Sequence, residues 1–190
     1  MNSIVKIAPL LLSLAACQSN PTASITVATP AQAKPEMIHA SMLTINGQPQ
    51  KELTTQALER QLGRPDSVVR GVVECGSELA DPGSAPGDYW YYGKTAYEVN
   101  GTQAILAHFD VTSGKFQGKL GELMLNQNTT LEDVRRFYPV SAKEADTPST
   151  FHKGELMSLP FEMNGVQIEI QLHLIFKKGR LQEVDFWSEC

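Results

Sequence analysis

The stretch Val166-Gln167-Ile168-Glu169-Ile170-Gln171-Leu172-His173-Leu174-Ile175-Phe176, residues 166–176, decides the fold class. Apolar and polar residues alternate along it, and this period of two is typical of a strand with one buried and one solvated face. Asn164-Gly165 before it and Lys177-Lys178-Gly179-Arg180 after it are turn sequences, and a last strand follows over 181–187. We therefore expect antiparallel hairpins.

The preceding part of the chain carries the same kind of signal. Tyr89-Trp90-Tyr91-Tyr92 is typical of an aromatic strand, and Asn100-Gly101 separates residues 96–99 from residues 104–109. Met42-Leu43-Thr44-Ile45 followed by Asn46-Gly47 predicts a further short strand and turn.

Two short helices are predicted between the strands. Thr54 can cap the first, which runs to Leu62 before a Gly-Arg-Pro stop. Thr129 can cap the second, with Glu132 three residues later as its capping-box partner and Pro139 as its stop. Because the helix, loop and hairpin follow in the same order twice, we predict a duplicated α+β domain. Its two helix-plus-antiparallel-sheet units would cover residues 41–125 and 126–190, with the helices on one face of the sheet.

The N-terminus predicts export. Lys6 precedes an apolar run at 7–12 that is far too short to span a bilayer, and small residues follow it. Leu14-Ala15-Ala16-Cys17 resembles a bacterial lipobox, which implies that residues 1–16 are removed and that Cys17 is lipidated. An ordinary signal peptide with a chance cysteine is the alternative. Gln18, where an Asp would resemble an inner-membrane retention signal, favours the outer membrane.

Residues 17–40 are rich in Ser, Thr, Ala, Pro and Gln, so we expect a lipidated cysteine followed by a flexible tether. With Cys17 lipidated, Cys75 and Cys190 remain, and export places them where disulfides persist. We predict that they form one disulfide bond. A reactive thiol at Cys75 is the alternative, although the adjacent Glu74 would raise its pKa.

Several classes of function lack support in the residues. The formal net charge is −5 and there is no Lys/Arg cluster, which argues against a nucleic-acid partner. No catalytic motif, metal-binding motif or phosphate loop is present, so we expect no catalytic residue, metal or cofactor. Two arrangements stay open: His108 with His173 as a metal pair, and Glu183 with Asp185 as an acid/base pair. For both, ordinary strand positions are the commoner explanation.

The aromatic strand offers the candidate contact residues. Tyr89, Trp90, Tyr91 and Tyr92 point to both sides of one strand, and exposed Tyr and Trp often anchor protein interfaces. The alternative is that most of them fill the core beneath the first helix.

A family resemblance adds to these observations. The lipobox and tether, Leu62-Gly63-Arg64-Pro65-Asp66, Trp90 with Tyr92, and Phe109 before Gly114-Lys115 resemble the SmpA/OmlA (BamE-like) lipoprotein family. Two tandem copies would be similar to the β-lactamase inhibitor protein architecture. The loop at 76–88, the extra cysteine pair and the second copy depart from the single-unit family.

The resemblance implies a lipid-anchored outer-membrane protein that faces the periplasm. Such a protein would act as a non-catalytic module that binds a protein partner, for instance in envelope or outer-membrane assembly. An inhibitor or immunity lipoprotein that neutralises a secreted toxin or a periplasmic enzyme is the alternative.

Overall fold

The computed structural model describes residues 34–73, 79, 85–147, 149 and 154–188. All of these fall within one compact unit, Ala33–Cys190. The predicted signal peptide (1–16), Cys17 and the first part of the tether lie outside the described residues, as do Cys75 and Cys190.

Strands dominate the described part of the chain. In chain order they are β1 (Ile38–His39), β2 (Leu43–Ile45), β3 (Gln48–Pro49), β4 (Leu53–Thr54), β5 (Ser67–Val73), β6 (Gly87–Tyr92), β7 (Thr95–Asn100), β8 (Gln103–Asp110), β9 (Gly118–Leu120), β10 (Leu123–Leu125), β11 (Glu155–Met163), β12 (Val166–Lys177) and β13 (Arg180–Ser188). The helices are α1 (Thr55–Leu62) and α2 (Leu131–Phe137), with 3-10 segments at Ala40–Met42 and Ser141–Asp146.

The strands form two sheets. The large, nine-stranded sheet has the order β1-β11-β12-β13-β8-β7-β6-β5, with β4 paired to β8. Only β1 and β11 pair in parallel, and the other pairs are antiparallel. The small sheet has four strands in the order β10-β9-β2-β3.

The hydrophobic core lies on one face of the large sheet. Leu106, Phe109, Leu172, Leu174 and Val184 from that sheet share one buried cluster with residues of the small sheet and of the helices. The latter residues are Leu43, Leu120 and Leu125, together with Leu58 of α1 and Val134 of α2. We call this side of the large sheet the core face and the other side the second face.

The predicted fold class is wrong. The described part of the chain is mostly β, and nine of its thirteen strands join into one mixed sheet instead of two helix-plus-sheet units. The physical reason is that β8 pairs with β13, which makes the two predicted sheets continuous. In addition, α1 and α2 have only 8 and 7 residues, so the small sheet supplies much of the second layer.

Turn residues explain how the hairpins close. Asn46-Gly47, Asn164-Gly165 and Lys178-Gly179 all have positive φ at both positions, between 48° and 77°. Two successive positive φ angles define the type I′ turn, whose twist matches that of antiparallel strands. The turns predicted at Asn46-Gly47 and Asn164-Gly165 are confirmed.

The two helix caps differ in how well the sequence predicted them. Thr54 caps α1 as expected, because its side chain accepts a hydrogen bond from the Ala57 N–H. In α2 the predicted cap is one residue early. Thr130, not Thr129, accepts from the Asp133 N–H, and Asp133 completes the capping box in place of Glu132.

The folded part begins earlier than the predicted tether end at residue 40. Ile38 is completely buried, and β1 pairs with β11 through Ile38 and His39. Glu36 also binds the 3-10 segment, because its carboxylate accepts hydrogen bonds from the backbone N–H groups of Val140 and Ser141. Backbone pairing and a buried side chain therefore replace the expected flexible chain over this stretch.

The alternation in β12 predicts burial correctly only in the second half of the strand. Leu172, Leu174 and Phe176 are buried, but Val166 is 67% exposed because the β11–β12 hairpin extends beyond the core. His173, expected on the solvated face, is buried to 6% exposure and stacks on Trp187, with ring centroids 5.1 Å apart. The second face is therefore partly covered.

Candidate interaction surface at the sheet edge

The aromatic strand divides its four side chains between the two faces of the sheet. Trp90 pairs with Tyr97, which belongs to the core cluster, whereas Tyr89 and Tyr91 pair with Glu98 and Ala96 on the second face. Alternation along a strand requires this division. The four predicted contact residues therefore do not form one surface.

Trp90 and Tyr92 lie on the core face of the sheet and stabilise the core. Both pack against the buried cluster, and the Tyr92 ring meets that of Tyr97 edge-on at a centroid distance of 5.9 Å. The Tyr92 hydroxyl donates a hydrogen bond of 3.2 Å to the carbonyl of Gly63, at the end of α1. These contacts hold α1 on the sheet, as the structural alternative for the aromatic strand predicts.

Tyr89 and Tyr91 form a half-buried aromatic patch on the second face. Their ring centroids lie 6.2 Å apart, and Tyr91 lies at the same distance from His108. Burial raises the pKa of Tyr89, and the carboxylates of Glu98 and Asp185 raise it further. The Tyr89 side chain is therefore a neutral phenol at neutral pH, and both tyrosine rings can contact a partner.

A row of polar side chains crosses the same face. His173 of β12 pairs with Asp185 of β13, and Asp185 pairs with His108 of β8. Cross-strand neighbours on one face lie close enough to interact. The sequence suggested His108 with His173 and Glu183 with Asp185 as two pairs. It could not place His108, Asp185 and His173 in one row, because the pairing register of three separate strands is needed to do so.

The described residues beside this row are engaged in other contacts. Ser158, the next residue across the sheet, donates its hydroxyl to Glu144 at 3.1 Å instead of to His173. Glu183 pairs with Asp110, whose carboxylate accepts hydrogen bonds from Thr112 and Ser113. Within the described parts of the chain, no group of three or more His, Cys, Asp or Glu residues could hold a metal ion.

The most exposed apolar feature next to Tyr89 and Tyr91 is β5. It ends the large sheet, and Val68, Val69 and Val72 are 39%, 43% and 45% exposed. Val68 pairs with Trp90 and Val69 with Tyr89, so β5 exposes a valine on each face of the sheet. We call β5 together with Tyr89 and Tyr91 the edge surface.

The edge surface carries few of the features that normally block strand pairing. Soluble proteins protect sheet edges with lysines, prolines, bulges or covering segments. Residues 67–73 contain neither Lys nor Pro. They do contain Arg70 and an irregularity at Gly71, where φ is 64° and the N–H donates to Asp88 at 3.0 Å.

Sequence reasoning missed this strand. No element was predicted for residues 67–73, although four valines in seven residues, Val68, Val69, Val72 and Val73, are a signal for a strand. Gly71 and Arg70 interrupt the alternation, and the irregularity in the structure lies between Val69 and Val73.

The predicted disulfide lies outside the described residues, but the strands that precede its cysteines are described. β5 ends at Val73 and β13 ends at Ser188. β5 and β13 are linked by successive antiparallel pairings through β6, β7 and β8, so the two strands run in the same direction. Their C-terminal ends therefore lie at the same end of the sheet. The Leu79 N–H donates a hydrogen bond to Glu98 of β7. In the strand order of the sheet, β7 lies two strands nearer to β13 than β5 does.

None of the described helices is long and apolar enough to cross a membrane. Comparison of the chain with known protein families, with curated proteins and with solved structures finds no match.

Proposed function

We propose that this chain is an outer-membrane lipoprotein, anchored through Cys17 and facing the periplasm, and that it acts as a non-catalytic protein-binding module. The proposed location rests on the lipobox-like residues 14–17 and on the export signal before them. The binding role rests on one structural observation, which is the exposed valine strand β5 beside two half-buried tyrosines.

The edge surface suits a protein partner for two reasons. A terminal strand presents backbone N–H and C=O groups that an extended segment of another protein can pair with. Val68 and Val69 then offer apolar contact on opposite faces of the new strand pair, and Tyr89 and Tyr91 extend the contact on the second face. Tyrosine is one of the residues that carry most binding energy in interfaces.

Co-purification from detergent-solubilised membranes tests this proposal. In the edge variant, Val69→Lys with Val72→Lys, two cations on β5 disfavour strand pairing. The matched control is Met163→Lys with Val166→Lys, because these side chains are 59% and 67% exposed on the tip of the β11–β12 hairpin. Both double variants should unfold at nearly the wild-type temperature, since all four side chains are already solvated.

The expected result is that the edge variant loses the partner proteins and that the hairpin control retains them. Equal capture by the edge variant and the wild-type chain would refute the edge surface as the binding site. The identity of the partners separates the two expected roles: envelope-assembly proteins support the first, whereas a single toxin or periplasmic hydrolase supports the inhibitor or immunity alternative.

A further inference from the structure

A cavity of about 260 Å³ opens on the core side of the large sheet, away from the edge surface. It lies between the segment from Ile45 to Leu53, the last turn of α1 and three side chains of the core, which are those of Tyr97, Leu106 and Phe116. A water molecule takes about 30 Å³ in the liquid, so the cavity has room for roughly eight or nine waters or one small organic molecule.

The inner part of the cavity is apolar apart from one hydroxyl group. Leu106 and Phe116 are each 4% exposed and Leu53 is half-buried. Tyr97 is only 8% exposed, and its hydroxyl makes no hydrogen bond with any described residue. Tyr97 lines the cavity, so its unpaired hydroxyl is available as a donor for a ligand.

Tyr97 stays protonated over the whole physiological range. Burial raises the pKa of its hydroxyl to about 12, and the neighbouring Tyr92 adds to the effect. It can therefore donate a hydrogen bond to a ligand throughout the physiological pH range.

The outer part of the cavity is cationic. Lys51 lines it with an exposed side chain that forms no salt bridge with a described acid, and none of the described lining residues is Asp or Glu. This is notable in a chain whose formal net charge is −5. The amides of Gln48 and Gln61 add further donors.

Two other amides at the cavity already have structural roles. Asn46 accepts a hydrogen bond from the Gln117 N–H and donates one to the carbonyl of Lys115. Gln50 donates to the carbonyl of Leu106 at 3.1 Å, which holds the segment before β4 against the sheet. These bonds keep the cavity wall in place without a ligand.

From this arrangement we infer that the cavity binds a small carboxylate with a short apolar body. The Lys51 ammonium and the Tyr97 hydroxyl bind the carboxylate, and the aliphatic part packs on Leu53, Leu106 and Phe116. The cavity lies just below the 300–1,000 Å³ that is usual for drug-sized ligands, so it suits a smaller molecule.

Titration with hexanoate tests the inference, using the mature chain with Cys17→Ser so that no detergent competes for the ligand. A ligand of this size is expected to bind with a dissociation constant on the order of 1 mM. Backbone amide shifts of the residues around the cavity should move with saturation. Hexanol and hexylamine, which keep the alkyl chain, should bind at least about ten-fold more weakly.

Variants assign the binding to the two polar groups. Tyr97→Phe keeps the ring and Lys51→Gln keeps a polar, unbranched side chain without the charge. Each should weaken hexanoate binding about ten-fold, because the first removes a hydrogen-bond donor and the second removes the cation. Lys94→Gln, at an exposed turn between β6 and β7, is the matched charge control and should leave binding unchanged.

The inference is overturned if hexylamine binds as well as hexanoate, if the amide shifts do not localise to the cavity, or if Lys51→Gln binds like the wild-type chain. Should Tyr97→Phe prove unstable, the Lys51 comparison alone decides the outcome. The edge surface plays no part in this experiment, so its result is independent of the proposed function.

Discussion

Glu36 holds the start of the folded domain in place, and replacing it with Gln should destabilise the protein measurably. Its carboxylate accepts hydrogen bonds from the Val140 N–H at 2.9 Å, the Ser141 N–H at 2.8 Å and the Ser141 hydroxyl at 2.6 Å. The Ser141 hydroxyl in turn accepts from the Glu36 N–H at 3.1 Å. Val140 is the N-cap residue of the 3-10 segment Ser141–Asp146, but its side chain makes no capping hydrogen bond. Glu36 therefore supplies the cap from a distant part of the sequence.

The size of the effect follows from these contacts. Hydrogen bonds to a charged group contribute about 1.5–3 kcal/mol each when buried, but this carboxylate is partly solvated, which reduces the value. A Gln keeps one acceptor oxygen and loses the charge, so we expect Glu36→Gln to lower the free energy of unfolding by about 1–2 kcal/mol at pH 7. For a domain of this size that corresponds to a fall in Tm of about 2–8 °C.

The pH dependence has a defined sign. Burial opposes ionisation of Glu36, but the hydrogen bonds from Ser141 and Val140 outweigh it and lower the pKa below the ordinary value of 4.5. A lowered folded-state pKa contributes stability that is fully present above the unfolded-state pKa and is lost as the pH falls through the folded-state value. The difference between wild type and Glu36→Gln should therefore be constant near neutral pH and should shrink below about pH 4.5.

Urea unfolding at a series of pH values measures this difference, with Glu52→Gln as the control. Glu52 is exposed and has no hydrogen bond or salt bridge with the described residues, so its replacement should change the free energy of unfolding by less than about 0.5 kcal/mol. If Glu36→Gln is no more destabilising than Glu52→Gln, or if its effect persists undiminished at pH 3, the capping role of Glu36 is refuted.

Three further predictions follow from the fold. Asp133→Ala should lower the free energy of unfolding, measured by thermal unfolding, by about 1 kcal/mol, because Asp133 is the capping-box acid. Glu132→Ala should lower it by less than about 0.5 kcal/mol, and the reverse order would support the cap predicted from the sequence, Thr129 with Glu132. Gly118→Ala should lower the free energy of unfolding by about 1–3 kcal/mol, since an added Cβ would lie 3.1 Å from Phe109 Cζ. An unchanged Tm would contradict this and would mean that the Phe109 ring moves aside. Non-reducing peptide mapping should recover one linked Cys75–Cys190 peptide, and recovery of two free thiols would exclude the disulfide.

Local chemistry made the hairpins predictable. Asn-Gly pairs favour two successive positive φ angles, so the turns at residues 46–47 and 164–165 could be located without a structure. Thr54 likewise placed the start of α1 correctly. In α2, two adjacent threonines are followed by Glu132 and Asp133, and either pair fits a capping box, so only the structure selects Thr130 with Asp133.

Long-range pairing was not predictable in this way. The pairing of β8 with β13 makes one sheet of the two predicted units, and it depends on residues 75 positions apart, such as Phe109 and Val184. Strand β5 was not predicted, because Arg70 and Gly71 interrupt the alternation of apolar and polar residues along it. The edge surface combines this missed strand with Tyr89 and Tyr91, so only half of it was named from the sequence.

We propose that the edge at β5 contacts a protein in the bacterial envelope. Site-specific photo-crosslinking in living cells can detect this contact, with a photoreactive phenylalanine analogue at Val69 and, in a separate strain, at Val166. We expect discrete adducts of defined mass from position 69 and none from position 166, although both side chains are solvent-exposed. Adducts from position 166 alone, or from neither position while the protein is lipidated and folded, would contradict it.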